Sequence, residues 1–177
     1  LGRQHQNVAG WLQQHALTAC DRLASTLTVE SGWEKALEMV LSRTLDGVCV
    51  EENLADLAES ACLLDKNHLC LLEVPQQVVV PSQSSSELPT LLSKVQGEWV
   101  GGLLQGVFIT ETLEQALLAR PHLALGESIV TRDAVWLGVH WLYVLREHDE
   151  SLLQREQKIR DLDQRVQASL DEEKQRL

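Results

Sequence analysis

Hydrophobic and glycine positions repeat within this chain. A run that begins at Leu45 is matched, position by position, by a run that begins at Leu104, 59 residues later. In both runs a glycine precedes three apolar residues, which is typical of a short buried strand. Two copies of one strand are therefore predicted. The matched pairs are Leu45 and Leu104, Gly47 and Gly106, Val48 and Val107, Cys49 and Phe108, Val50 and Ile109, Glu52 and Glu111, and Leu54 and Leu113.

A helix is predicted directly after each of these strands. Apolar residues recur at three- and four-residue spacing from Leu54 to Leu64 and from Leu113 to Leu117, which is the spacing of one helix face. Thr110 is a candidate N-cap for the second helix. We interpret the pattern as two strand–turn–helix units, and chance similarity between two ordinary strand–helix junctions is the alternative.

The rest of the body follows the same order in both halves. A polar stretch that contains Pro75, Pro81, Ser84–Ser86 and Pro89 separates the halves and is typical of a linker. We predict a mixed α/β (α+β) fold of two similar β-α-β-like lobes. The further predicted elements are a helix at 33–41, strands at 69–74 and 78–80, a helix from about 91 to the second repeat, and strands at 128–131, 135–137 and 141–144.

The last 32 residues have a different pattern. From Arg146 to Leu177 there is no glycine, proline or aromatic residue. A strict seven-residue period predicts a coiled-coil helix about 50 Å long, and a single amphipathic helix folded against the body is the alternative, because Arg155 and Ser169 occupy seam positions. Since the chain begins at Leu1, we expect it to be part of a longer protein. The period is formed by Leu145, Leu152, Ile159 and Val166, with Leu162 between them.

Charge and cysteine content limit the possible partners. The net charge is −11, and most of the excess acid precedes Arg146, so the body should repel a phosphate backbone. The four cysteines, at positions 20, 49, 62 and 70, lack metal-site spacing, and we expect buried thiols in a reducing compartment. No membrane span or signal peptide is recognisable, which favours a cytoplasmic protein.

No catalytic or metal-binding set emerges from the sequence. The six histidines are scattered without the spacing of metal ligands. The acidic residues at strand ends are expected to be solvated, and Gly97, Gly101 and Gly102 are expected to form a turn or helix end rather than a phosphate loop. We therefore predict no enzymatic activity, metal or cofactor for this chain.

Several strings resemble the hinge domain of bacterial SMC proteins, the ATPases that organise and condense chromosomes. The first is Leu23–Leu41, in which Val29-Glu30-x-Gly32-Trp33-Glu34-x-Ala36 is similar to the opening of the first hinge lobe. The order of these strings agrees with that family over nearly all of the body. The others are Trp11-Leu12, Arg22-Leu23, Gly126–Asp133, Trp136-Leu137-Gly138 and Trp141-Leu142.

The resemblance implies a homodimerisation domain in a cytoplasmic, nucleoid-associated protein. ATP and Mg²⁺ would bind elsewhere in the full-length protein, kleisin-type subunits would also bind elsewhere, and DNA would be a weak partner. The implied divisions are the end of an outgoing arm and an entry helix at 1–22, lobe I at 23–80, a linker at 81–90, lobe II at 91–145, and a returning arm at 146–177.

The resemblance also implies site residues. Many hinges of the family carry glycines where this chain has Ala134, Trp141 and Leu145-Arg146, and Trp136 and Trp141 are expected to be either core or interface residues. The DNA-binding candidates are Arg22, Arg132 and Arg146, with isolated surface charges as the alternative. The implied dimer-interface residues are Val130, Thr131, Asp133, Ala134, Val135, Trp136 and Gly138.

Overall fold

A computed structural model describes residues 7–64, 68–77, 86–97, 99–144 and 152–176. The body contains short helices and strands, and one long helix follows them. The helices are α1 (Val8–Gln14), α2 (Leu23–Thr26), α3 (Glu34–Leu41), α4 (Leu54–Ala61), α5 (Leu113–Ala119) and α6 (Leu152–Gln175). The strands are β1 (Thr28–Val29), β2 (Val48–Val50), β3 (Leu71–Glu73), β4 (Val95–Gln96), β5 (Val107–Thr110), β6 (Ser128–Thr131), β7 (Val135–Gly138) and β8 (Leu142–Val144).

The predicted duplication is confirmed. In lobe I, β2 continues through α4 to β3, and the two strands pair in parallel. In lobe II, β5 continues through α5 to β6, which is again a parallel pair. Both helices begin at matched positions of the sequence repeat, Leu54 and Leu113. The two lobes are therefore built on the same β-α-β unit.

The helix caps correct one prediction. Thr110 is the last residue of β5, and the N-cap of α5 is Thr112. The Thr112 hydroxyl accepts a hydrogen bond from the backbone N–H of Gln115, whose side chain accepts one in return from Thr112 N–H. In lobe I the matched residue, Asn53, caps α4 by accepting from Ala55 N–H.

A second prediction is wrong at residues 91–94. These residues form one 3₁₀ turn, Leu91–Lys94, instead of an α-helix. The turn is limited to four residues because β4 begins immediately after it and pairs antiparallel with β1 of lobe I. The strand predicted at 78–80 lies outside the described residues.

Lobe II extends its sheet beyond the shared unit. The strand order is β5-β6-β7-β8, and β6, β7 and β8 pair antiparallel. The strand predicted at 128–131 is confirmed at those bounds, and the two added strands are confirmed within one residue. In lobe I, β2 and β3 make a two-stranded sheet.

Three clusters of buried side chains form the core. The central cluster takes residues from both lobes, among them Trp33, Leu37, Leu104 and Val130. A second cluster packs α1 against the β-α-β unit of lobe I, and a third fills the space under α5 in lobe II. Trp33 is a core residue, as predicted. The shared central cluster joins the two lobes into one body.

The long helix α6 begins against lobe I and then leaves the body. Leu153 is buried in the central cluster, and every described residue after Arg160 is exposed. The apolar seam residues Ile159, Leu162 and Val166 are exposed along the described helix. The first turns thus pack on the body, whereas no other described segment covers the seam residues. No helix among the described residues is long and apolar enough to span a membrane.

Candidate interface at the strand edges

Lobe I presents one strand edge that no other described strand covers. The outer side of β2 is closed by Asp21–Leu23, because Asp21 C=O accepts from Cys49 N–H and Leu23 N–H donates to Gly47. On β3, the Cys70 carbonyl and the Val74 N–H bond to β2. Since alternate residues of a strand face opposite edges, the backbone groups of Leu71 and Glu73 face outward.

An apolar groove runs beside this edge. Its volume is about 410 Å³, and its walls come from α4 and from the segment that leads into β3. Leu63, next to the groove in sequence, is among the most exposed apolar side chains of the described chain. The groove could accept apolar side chains that arrive along the β3 edge. It is lined by Leu54, Ala58, Ala61, Cys62, Leu64, Leu69 and Leu71.

Lobe II presents a second edge, at β8, that no strand in the described part of the chain covers. The three residues of β8 are exposed at 54% for Leu142, 56% for Tyr143 and 45% for Val144. The β7–β8 hairpin is closed by a hydrogen bond from Gly138 N–H to Trp141 C=O. By the alternation of antiparallel pairs, Tyr143 bonds to β7, whereas the backbone groups of Leu142 and Val144 face outward.

The hairpin is held by aromatic packing. Trp141 packs edge-on against Trp136, with ring centroids 4.9 Å apart. Gly138 is required there, since a Cβ at this position would overlap the Trp141 indole. Arg120 donates two hydrogen bonds to the Val139 carbonyl, at 3.2 and 2.8 Å. This packing presents Trp141, itself partly exposed, beside the edge strand.

The interface residues expected from the sequence lie mainly beneath this surface. Val130, Thr131, Ala134 and Gly138 are buried in the chain. Val135 and Trp136 are half-buried, and Asp133 is exposed in the β6–β7 turn. Their role at an interface stays a prediction. The exposed residues of β8 were missed as site residues, although their apolar run in the last predicted strand was a usable signal.

Of the three arginines expected to contact DNA, the described part contains two, and they lie in different settings. Arg22 donates to the Asp46 carbonyl at 2.7 Å. Arg132 lies 5.3 Å above the Trp33 ring and pairs with Glu111 at 3.3 Å. Arg146 lies outside the described residues. A DNA-binding role for these residues stays a prediction.

The thiols belong to lobe I and its entry segment. Burial is the main cause that raises the pKa of Cys20, Cys49 and Cys70, and nearby Glu52 and Asp21 add to the effect at Cys20. Cys20, Cys49 and Cys70 are half-buried and Cys62, the C-cap of α4, is exposed, so the expectation of four buried thiols is wrong. The described residues hold no group of metal-ligating side chains.

Comparison with known proteins gives a consistent family. No family model matches the chain. The chromosome partition protein Smc of Coxiella burnetii is 33% identical over 166 residues, which are 92% of this chain and 14% of that protein. The Smc protein of Methylococcus capsulatus is 30% identical over 174 residues, again 14% of its length. The chain thus spans about a seventh of the relatives it matches.

Solved structures agree on the fold. The SMC hinge domain of Geobacillus stearothermophilus, described as an asymmetric dimer, has a TM-score of 0.62 at 18% identity over 95% of this chain and 75% of that chain. The Smc hinge domain of Pyrococcus furiosus with an extended coiled coil has a TM-score of 0.59, also at 18% identity, over 95% of this chain and 67% of that one. The chain thus has the fold of the SMC hinge domains, and along nearly its whole length its sequence is similar to one segment of the bacterial Smc proteins.

Proposed function

We propose that this chain is a homodimerisation domain in which β8 of one copy pairs with β3 of the other. The observation that supports the proposal is that no described strand covers β3 in lobe I or the outer side of β8 in lobe II. Leu142 and Val144 on β8 direct their backbone groups outward, as do Leu71 and Glu73 on β3. Both sets are two residues apart, so the N–H and C=O groups can alternate across a new ladder.

Two such contacts form together in a two-fold dimer. Each copy supplies β8 to one contact and β3 to the other, so the assembly closes and both of these edges are covered. The exposed side chains of β8 then lie against the apolar groove beside β3. The dimeric state of the Geobacillus hinge is consistent with this arrangement.

Sedimentation equilibrium at micromolar concentration tests the proposal. The expected mass is twice the 19.8 kDa of one chain. Leu142→Asp places a carboxylate in both contacts of the dimer, and we expect dimerisation to weaken about 100-fold or more. Leu125→Asp, at an 88% exposed loop position, is the matched control. A monomeric parent chain, or equal dimer affinity in both variants, would contradict the proposal.

Proline substitutions in β8 test whether the outward-facing backbone groups of this strand form the ladder between the two copies. Val144→Pro removes an outward N–H and leaves the bonds between β7 and β8 intact, so it should yield a folded monomer. Tyr143→Pro removes an N–H that serves the hairpin itself, and it should reduce thermal stability as well as dimerisation. Circular dichroism and sedimentation of both variants separate the two effects. A folded dimer in Val144→Pro argues against this pairing.

For the longer protein we propose the role that its relatives' name states, chromosome partition. ATP hydrolysis with Mg²⁺, contacts with kleisin-type subunits and nucleoid localisation would belong to that protein. DNA binding by the hinge itself is a weaker proposal, because the chain is acidic and both described candidate arginines have partners within the chain. Anisotropy titration with duplex DNA at rising salt tests it: unmeasurable binding at low salt would exclude it.

A further inference from the structure

The base of α6 is bonded to the backbone of lobe I. The Arg160 guanidinium donates from Nη2 to the Leu27 carbonyl at 2.6 Å. One turn earlier, the Gln157 amide donates to the Val29 carbonyl at 3.4 Å. At the helix start, Leu152 N–H donates to the Glu38 carboxylate of α3 at 3.1 Å. All three acceptors belong to lobe I, although α6 follows lobe II in sequence.

The register of β1 explains why these carbonyls are available. Thr28 pairs with Gln96 of β4, and Glu30 N–H donates to the Lys94 carbonyl. Residues 28 and 30 therefore face β4, and alternation turns the carbonyls of Leu27 and Val29 to the opposite side. That side of β1 meets α6, so side chains of the helix replace a neighbouring strand.

The two donors suit this role by their spacing. Residues 157 and 160 are three apart, so they project from the same helix face. Their acceptors are two apart on an extended segment, which turns both carbonyls to one side. The helix thus follows the β1 edge over one turn, and Leu153 inserts into the central core on the same side.

Arg160 lies where the helix departs from the body. Its Nε is buried and has no hydrogen-bond partner among the described residues, and no carboxylate in that part of the chain pairs with it. The described hydrogen bond of Arg160 is therefore to a backbone carbonyl. It is not to an acidic side chain, which could change rotamer together with the arginine. Every described residue beyond it is exposed, which makes Arg160 the last point of attachment.

We propose that Arg160 is a positioning residue that fixes the direction of the α6 arm relative to lobe I. A backbone carbonyl in a strand that is paired on its other side is a rigid acceptor, so a bond to it restrains the helix in angle as well as in position. The proposal goes beyond dimerisation and does not depend on it, because all the contacts lie within one chain.

Distance measurement by pulsed electron resonance tests the proposal. One label is placed on Leu125→Cys, at an exposed loop position outside the proposed dimer contact, and one on Asp171→Cys in the outer arm. All variants carry Cys62→Ser, and Cys20, Cys49 and Cys70 are less reactive because they are half-buried. Labelled protein is diluted with unlabelled protein so that distances within one chain dominate. The variants are Arg160→Met, Arg160→Lys and Arg155→Met, the last an exposed arginine of the same helix.

We expect a narrow distance distribution in the parent chain and in Arg155→Met, and a broad one in Arg160→Met. Arg160→Lys, which keeps one donor, should fall between them. An unchanged distribution in Arg160→Met would overturn the proposal, and a distribution in Arg160→Lys as broad as in Arg160→Met would overturn the bond to Leu27 as its cause. The dimer mass should be equal in all variants, which separates this result from a failure of the dimerisation proposal.

Hydrogen exchange by mass spectrometry covers the case in which Arg160→Met is less stable. Loss of a hydrogen bond from a charged donor should raise exchange in residues 152–160 about tenfold. Exchange in β5 to β8 should not change, because those strands lie in the other lobe. Equal exchange in 152–160 in both chains would count against the proposal, as would an increase spread evenly over the domain.

Discussion

The β-α-β units of the two lobes begin from the same sequence pattern and differ in burial. In lobe II every residue of β5 and β6 is buried, whereas no residue of β3 in lobe I is fully buried. The cause is the number of strands: β7 covers the outer side of β6, but no described strand covers β3. The repeated unit thus forms an exposed sheet edge in lobe I and the buried part of a larger sheet in lobe II.

This difference creates complementary surfaces. If both lobes had ended at the shared unit, each chain would present two similar short edges. The hairpin of β7 and β8 instead gives lobe II an edge with large exposed side chains, and lobe I keeps an edge beside an apolar groove. The arm follows the same division, because α6 bonds to lobe I and leaves the β8 edge free.

The largest difference in stability between the two lobes is expected for alanine substitutions at the matched positions Phe108 and Cys49. Phe108 is fully buried between α5 and the lobe II sheet, whereas Cys49 is half-buried in lobe I. Phe108→Ala should lower the free energy of unfolding by about 3–5 kcal/mol. Cys49→Ala removes one sulfur atom and should cost about 1 kcal/mol. Urea unfolding of both variants measures the difference.

Equal losses at these two positions would show that the lobes contribute equally to the core. Dimer dissociation also affects unfolding, so the measurements are made at two protein concentrations and extrapolated to the same monomer concentration.

The next test compares the glycines that precede the two strands. Gly106 has a φ of +75°, so Gly106→Ala should cost about 1–2 kcal/mol from backbone strain. Gly47 does not have a positive φ, but a Cβ there would lie 2.7 Å from Leu72 and 2.8 Å from the Thr44 carbonyl. Gly47→Ala should cost about 1–3 kcal/mol by overpacking. Thermal unfolding measures both.

Asparagine substitutions at the same two glycines separate backbone strain from overpacking. Gly106→Asn should recover part of the loss, because asparagine tolerates a positive φ. Gly47→Asn should be worse than Gly47→Ala, since the larger side chain meets the same neighbours. The same ranking of alanine and asparagine at both positions would mean that the two glycines have the same function.

The repeat could be predicted from sequence because its signals are local. A glycine, three buried residues and a helix period lie within about ten positions in each copy, and the matched start of α4 and α5 followed from them. The N-cap at Thr112 is also predictable from the sequence. It is matched by Asn53 in the first copy, and both residue types favour N-caps. Thr110, the predicted cap, is instead the last residue of β5.

The remaining features depend on contacts between distant residues. The 3₁₀ turn at Leu91–Lys94 is short because β4 pairs with β1, more than sixty residues earlier. The seam of α6 predicted a coiled coil, but the bond of Arg160 to Leu27 has no local signal. The exposure of β8 likewise depends on its position at the end of the sheet. The interface therefore required the three-dimensional arrangement.

A smaller effect is expected at the two helix caps. Thr112→Ala removes an acceptor for Gln115 N–H, and the reciprocal bond of the Gln115 side chain loses its support. Asn53→Ala removes one acceptor, for Ala55 N–H. Both should cost about 1 kcal/mol, with the larger loss at Thr112. Thr112→Ser and Asn53→Asp are the controls and should retain most of the stability, and a loss as large in the controls would point to packing rather than capping.

The smallest expected effect is a difference between the lobes in how the free energy of unfolding depends on pH. The raised pKa values of Cys20, Cys49 and Cys70 mean that the folded state holds these protons more tightly than the unfolded state. Below the ordinary thiol value of 9.0 both states are protonated and stability is unaffected. As pH rises through that value the unfolded chain ionises first, so stability falls.

Lobe II has no cysteine, so the loss should originate in lobe I. Urea midpoints from pH 7.5 to 10 should fall less steeply in Cys49→Ala than in the parent chain, whereas Cys62→Ala, at the exposed thiol, should match the parent slope. Identical slopes in all three chains would mean that the half-buried thiols do not make the stability of lobe I depend on pH.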